Sequence, residues 1–495
     1  MKMLLCITQY LRWFAWLSLF YPLISQAQLI AVKSVPVATV DQFLFVPSQN
    51  LGMGGVSIAM EDPAADPFVN PAKGVRLRGA YIFSSPVFGN ITNENGSVRT
   101  LPVGVLLGSR NWFGGLNLAT QQFSASSRAD FIDWGWPSNS LLSEKNLNNS
   151  YAAVLLGTKL PGTGTAIGAS FFRAGLKAMP GVDFLYGRSS RIDQSGHIAD
   201  YRLGLLHERA NRPSFEMVLL HNRIAMTHDV YYNNWFWEGD VNASRSSVEV
   251  VRNLDQTKTW GLHLGSMLPF GGNDSRAGFI FTTNYKTHPK IPNYELMNIP
   301  RDPGDTWAFN IGAGLARAND SSAMAIDFIF EPIWSHTWAD AAEAITTDRG
   351  TIIPAGGKTV ENYFRFVNWL VRLGLGGQGE TLGFQLGLQA RFIQYRLKQQ
   401  NFTTGARRSQ KEFWGEWTPS VGLSLNVSAF QLRYTGRLTA GTGQPGVASD
   451  VVLRDTALAS GGNFILAPSG SLTLQESVVF THQFSVVVAL HAIKY

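Results

Sequence analysis

The residue types able to do acid–base or covalent chemistry are present in this chain, but they do not assemble into a pattern. His207, His221, His228, His263, His288 and His336 stand apart, with no H-E-x-x-H helix to hold zinc and no G-x-S-x-G elbow to present a nucleophile. The single cysteine, Cys6, lies in the first 27 residues. Catalysis needs a nucleophile, a base and an orienting group within hydrogen-bond reach. Nothing in this spacing supplies them, so the chain reads as a non-enzyme with no metal and no cofactor. Gly52-Met53-Gly54 opens a G-x-G, yet no third glycine in register, no helix pattern and no Lys-Ser/Thr follow, which excludes a nucleotide loop.

The remaining chemistry belongs to arginines and amides on extended segments. Alternation puts Asn117, Gln121, Arg202, Glu208, His263, Arg276, Lys286, Asp327, Gln385, Gln389, Arg391, Gln431, Arg433 and Arg437 on one polar face. A guanidinium fork donates two hydrogen bonds to a carboxylate. Arg76, Arg78, Arg202, Arg276, Arg391 and Arg433 are therefore the candidate ligand-binding residues for a hydrophobic molecule with an acidic head. For each of them the alternative is an internal ion pair, because buried charges are expected to be paired.

The elements that position these residues are strands. From Thr381 to Phe392 the chain alternates Leu382, Phe384, Leu386, Leu388, Ala390 and Phe392 with Gly383, Gln385, Gly387, Gln389 and Arg391, which is period two. The stretches around Ala277–Tyr285 and Trp307–Ala313 repeat it. No mature stretch reaches 18 uninterrupted apolar residues, so a spanning helix is not expected. A soluble sandwich would turn its apolar face inward; a membrane barrel turns it to lipid and lines its lumen with the polar, glycine-rich face.

Connection lengths favour the barrel. Tight links fall near Gly108–Asn111, Pro161–Gly164, Arg209–Pro213, Pro269–Ser275, Ala318–Ser321, Gly376–Glu380 and Asn426–Ser428. Longer segments separate them, at Ser124–Ser150, Thr227–Gln256, Pro332–Glu361 and Ala440–Gln475. Short turns on one side and long loops on the other characterise outer-membrane barrels. These seven turns, with a first strand near Arg78–Ser84 and a last near Val478–Ile493, give sixteen strands; an external hairpin counted as two spanning strands would make it fourteen. The 14 Trp, 14 Tyr and 31 Phe, with Trp112, Trp260, Trp307 and Tyr434 at strand ends, suit aromatic girdles.

The first 27 residues combine Lys2 and Arg12 with the apolar run Trp13–Ile24 and the small-x-small site Ser25-Gln26-Ala27, a cleavable signal peptide. Cleavage would remove the only cysteine, which excludes disulfides and thiolate chemistry. Two of the cations behind the net charge of +6 leave with it, and no basic patch interleaved with aromatics suggests a nucleic acid. The expected organisation is signal 1–27, an N-terminal plug or hatch over 28–76, and an all-β transmembrane antiparallel barrel over 77–495. The barrel ends on an aromatic, Tyr495, as strands read by the bacterial barrel-assembly machinery do.

The plug carries Leu51-Gly-Met-Gly-Gly, Val56-Ser-Ile-Ala-Met60, the acidic Glu61-Asp-Pro-Ala-Ala-Asp66 and Asn70-Pro71-Ala72-Lys73-Gly74. With these pieces just ahead of the first strand, the chain resembles the FadL/TodX-type outer-membrane transporters and the related PorV-like barrels of the type IX secretion system. Gly52, Gly54, Gly55, Asn70, Pro71 and Ala72 form the hatch motif, with Lys73 where a glycine often follows. The resemblance implies a barrel of fourteen strands, plugged by the hatch, through which long-chain fatty acids or other hydrophobic compounds diffuse.

The expected function is then hatch-gated uptake of hydrophobic small molecules across the outer membrane of a Gram-negative bacterium. The expected surroundings are outer-membrane lipid or lipopolysaccharide. A PorV-like, partner-binding barrel of a secretion system would instead use loop aromatics such as Phe131, Trp134, Trp136, Trp235, Phe236 and Trp237. A general porin is the third reading, and the plug argues against it.

Overall fold

A computed structural model describes residues 35–92, 96–125, 145–179, 191–209, 212–238, 243–270, 274–288, 304–341, 343–447 and 472–490. The signal segment, Phe131, Trp134, Trp136 and Tyr495 lie outside the described residues, and so do the side chains of Trp235, Phe236 and Trp237.

Alternating sequence becomes alternating sheet. Sixteen antiparallel strands close into a barrel. Strand β1 comprises Gly79–Ser84 and Val87–Ile91, interrupted at Ser85-Pro86, where proline has no N–H to donate to the ladder. It is followed by β2 (Ser97–Gly108), β3 (Trp112–Ala125), β4 (Lys145–Leu160), β5 (Thr165–Leu176), β6 (Arg191–His207), β7 (Ser214–Glu238) and β8 (Ala243–Phe270). The second half runs β9 (Ser275–His288), β10 (Gly304–Ala318), β11 (Ser322–Asp340), β12 (Lys358–Gln378), β13 (Leu382–Asn401), β14 (Arg407–Val427), β15 (Phe430–Val447) and β16 (Leu472–Ala489). Both pieces of β1 pair with β2 and with β16, which closes the sheet on itself and leaves no unpaired edge.

All seven tight links join consecutive strands at one end of the barrel, and β1 starts and β16 finishes at that same end. The opposite connections are shorter than the sequence pattern suggests. Most of Thr227–Gln256 is strand, because β7 and β8 run for 25 and 28 residues as a ribbon. Likewise β11 continues to Asp340 and β15 to Val447, and between Asp340 and Lys358 lies a small ladder pairing Ile345–Thr346 with Ile352–Ile353.

The outer face is the oily one. Leu101, Leu118, Leu156, Leu203, Phe279, Leu315, Phe328, Leu375, Phe384 and Leu423 project outward and are exposed around the circumference. A soluble protein would not leave such a belt in water. Aromatic side chains border it: Tyr201 lies on His221, His221 on Trp260, Tyr285 on Trp307, and Phe330 and Phe328 on Trp369, in neighbouring-strand contacts. A continuous apolar band edged by aromatics is a lipid face. Among the described residues no helix is long and apolar enough to cross a membrane.

Candidate functional site

The segment 35–78 enters the barrel and is bonded to its wall nearly all the way round. Glycines on both sides permit the closest approach. Met53 and Gly54 lie on the backbone of β12 and β13, and a Cβ on Gly387 would stand 1.9 Å from the Gly54 nitrogen. Gly54 has φ 72°, a left-handed conformation suited to glycine. Ser420 on β14 locks the turn, accepting from Gly54 N at 3.0 Å and donating to Gly52 O at 3.0 Å. On the other side Asn70 is fully buried, accepts from Ala72 N at 3.1 Å and donates to Glu216 on β7 at 2.9 Å. Pro71 and Ala72 press on Gly168 of β5.

Charge completes the attachment. Asp62 accepts from Ser48 Oγ and Gln49 N, both at 2.7 Å, which folds the acidic turn onto the preceding one. Lys73 pairs with Glu216 at 3.0 Å, Arg76 with Glu208 at 3.1 Å, and Glu61 with Arg276 at 2.7 Å. Asp327 on β11 takes the N–H of Ser57 at 2.7 Å. Burial raises the pKa of Asp66 to about 6, and Asp62 adds to the rise, although Lys73 and Arg76 oppose it. Lys73 and Arg76 are held above their ordinary values by these acids, against the burial that disfavours their charge.

Above the hatch the inner wall changes character. On β12 the outward residues Trp369, Val371, Leu373 and Leu375 belong to the lipid belt, with Arg372 and Gly374 facing in. Nearer the long loops the oily side switches: Phe364 and Phe366 point inward and are buried, and Arg365 points outward. Neighbouring β13 does the same, with Tyr395 and Leu397 inside and Arg396 and Lys398 outside. With Ala308 and Ile333 these side chains make one apolar cluster. Across the lumen, Tyr151, Ile198, Ile224, Met226 and Val230 make a second, which Val35 and Val37 of the N-terminal segment complete. Trp414 of β14 packs against both. Phe43 and Phe45 of the hatch lie on the second cluster through Tyr151 and Phe172.

Between this apolar region and the hatch runs a polar floor. Arg372 and Arg391 are diagonal neighbours on β12 and β13, and the Nε of each is buried without a hydrogen-bond partner. Asp327 and Glu331 on β11 each keep one buried carboxylate oxygen unbonded. Buried polar atoms left unpaired cost free energy, so a polar group brought to this floor would gain by satisfying them.

The six candidate arginines do not converge. Arg76, Arg202, Arg276 and Arg433 bind the hatch: Arg202 donates to the carbonyls of Phe68 and Val69 at 3.1 Å each, and Arg433 to that of Ser48 at 3.2 Å. Arg78 is exposed near the start of β1. Arg391 alone stands in the floor. The polar face read from alternation also works mainly as hatch anchorage, with Asn117 donating to Phe45 O, Gln121 to Gln42 O, Gln385 to Gln49 O and Arg437 pairing with Asp41. The sequence reading missed Arg372, Trp414 and the inward aromatics. Their signal was available, since the oily positions change parity within β12 and β13.

No family model matches the sequence, and no curated protein matches it. Among solved structures the chain is similar to a FadL homologue of Pseudomonas aeruginosa, with 12% identity over 90% of this chain and 99% of that one and a TM-score of 0.45. It is similar to the toluene transporter TbuX of Ralstonia pickettii, with 11% identity over 89% and 97% and a TM-score of 0.38. The toluene transporter TodX of Pseudomonas putida gives 9% identity over 88% and 96%, with a TM-score of 0.37.

Proposed function

We propose that this barrel resides in the outer membrane of a Gram-negative bacterium and carries hydrophobic or amphipathic small molecules across it, with the N-terminal segment as a displaceable gate. One observation carries the reading. The inner wall toward the long loops carries two apolar clusters among its polar residues, with Phe364, Phe366, Tyr395 and Leu397 on one side and Ile198, Ile224, Met226 and Val230 on the other. A pore for polar solutes has a polar lining. An apolar molecule would rest between the two clusters against Trp414, and an acidic head would reach the unpaired Nε–H of Arg391 and of Arg372, whose Nη1 already holds Ser57 of the hatch. Phe43 and Phe45 already occupy part of that wall, so a ligand competes with the hatch for the same surface.

The test compares uptake of labelled hydrophobic compounds, with and without a carboxylate, by cells that have or lack the protein. Loss of uptake on deletion supports the reading. Unchanged uptake of every compound, together with free passage of small sugars through the purified barrel, would replace it with a porin. A partner-binding role has one observation in its favour: the β7–β8 ribbon extends past the aromatic border and exposes Val248 and Val250. Recovery of a protein partner that depends on this ribbon would favour that role.

A further inference from the structure

The outward face just beyond the aromatic border carries cations that form no ion pair among the described residues. On three consecutive strands Arg365, Arg396 and Lys411 stand directly opposite one another in register. All three point outward and are exposed, and Trp334 lies beside Arg365 across the β11–β12 pair. Neighbouring strands are about 4.8 Å apart, so three positive charges fall within roughly 10 Å. Arg396 is four residues beyond Phe392, which stands opposite Trp369 of the aromatic border, about 13 Å along the strand.

The pattern recurs on the opposite side of the barrel. Tyr201, His221 and Trp260 form a cross-strand aromatic row. Two residues further toward the long loops, Arg223 and Lys258 are directly opposed, and Arg173 is separated from Arg223 only by Ala199. These too are exposed. Among the described residues none of the six makes an ion pair.

Like charges facing each other across strands destabilise a sheet, so these positions need a compensating anion. Higher on the same strands the arrangement differs: Arg191 pairs with Asp193 and Arg252 with Asp229. These two cations are matched by acids from the chain, whereas among the described residues the six at the border of the lipid belt are not. That border is where membrane headgroups lie.

We propose that the two basic arcs, Arg365–Arg396–Lys411 and Arg173–Arg223–Lys258, bind the phosphate groups of a phosphorylated glycolipid in the leaflet on the long-loop side. The lipid supplies the counter-charges, and each guanidinium donates charge-assisted hydrogen bonds to phosphate oxygens. This inference depends on the lipid face and not on transport, so it stands or falls independently of the proposed cargo.

The test uses the full barrel in a neutral detergent, titrated with bisphosphorylated lipid A, with dephosphorylated lipid A, and with inorganic phosphate. The wild type is expected to bind the bisphosphorylated form and to melt at a higher temperature in its presence. Substituting Arg365→Gln, Arg396→Gln and Lys411→Gln together should weaken that binding at least about tenfold. The control Arg191→Gln with Arg252→Gln should change it less than about twofold. Heat-dependent gel mobility reports whether a variant is folded, and Arg173→Gln/Arg223→Gln/Lys258→Gln provides the second variant. Equal binding by wild type and both arc variants, no preference for the phosphorylated lipid, or competition by inorganic phosphate as effective as by the lipid would overturn the assignment.

Discussion

Lys73 of the hatch reaches Glu216 on β7 at 3.0 Å, in a site where both side chains are largely shielded from solvent. This pair, backed by Asn70 on the same carboxylate and by Asp66 on the same ammonium, is a buried charged link between plug and wall. Breaking a buried pair by removing one partner costs about 3–5 kcal/mol, because the other charge is left uncompensated. Lys73→Met alone should therefore loosen the hatch, measured as more frequent opening in a planar bilayer. Lys73→Met with Glu216→Leu should open less often than the single variant.

Asp66 gives hatch docking a pH dependence. Its pKa is raised to about 6 in the folded protein, above the ordinary carboxylate value, so the folded state holds this proton more tightly than the unfolded one. The contribution is fully present below about pH 4 and is lost as pH rises through about 6, with a size of up to about 3 kcal/mol. Protease cleavage of the hatch should be slower at pH 5 than at pH 7.5, and Asp66→Asn should flatten that difference. A steeper dependence in the variant would contradict the assignment.

Gly54 and Gly55 separate backbone strain from close contact. Both have positive φ, 72° and 74°. A Cβ at Gly54 would also meet the Leu373 and Leu388 carbonyl oxygens at 2.8 and 2.9 Å, whereas one at Gly55 meets nothing within 4 Å. Gly55→Ala should cost about 1–2 kcal/mol from the left-handed conformation alone. Gly54→Ala should cost clearly more and raise hatch exchange by hydrogen–deuterium measurement, with the wall strands unchanged.

Much of this architecture is legible in the residues. The turn at Gly376–Glu380 and the alternation from Leu382 to Phe392 match β12, β13 and their link, because lipid on one side and a polar lumen on the other impose period two. The hatch motif is legible because Gly54 takes a left-handed conformation and the Asn70 side chain caps the turn that follows it. The far half of β7 and β8 was not, since beyond the membrane no lipid selects an oily face, and residues such as Asp229 and Arg252 end the alternation. The two apolar clusters were hidden for a related reason. Phe364 and Phe366 occupy the parity that carries Arg372 and Gly374 lower down, so a rule taken from the lipid belt assigns them the wrong surroundings. Which arginines hold the hatch depends on partners such as Phe68 and Ser48, which are remote in sequence.

Trp414 should report on occupancy, because it packs against both apolar clusters. Adding a brominated or spin-labelled amphiphile should quench its fluorescence relative to a Trp414→Phe background. Arg391→Ala with Arg372→Ala should weaken binding of the carboxylate form about tenfold or more, in line with about 1.5–3 kcal/mol for a hydrogen bond to a charged group, and leave an uncharged analogue unaffected.

The most direct measurement of the central claim is native mass spectrometry of the purified barrel, comparing wild type with a variant whose apolar clusters are made polar by Phe366→Asn and Ile224→Asn. The account predicts a bound apolar or amphipathic mass on the wild type that is absent from the folded variant. A wild-type barrel that carries no such mass, even after incubation with hydrophobic compounds, or a variant that retains it unchanged, would contradict it.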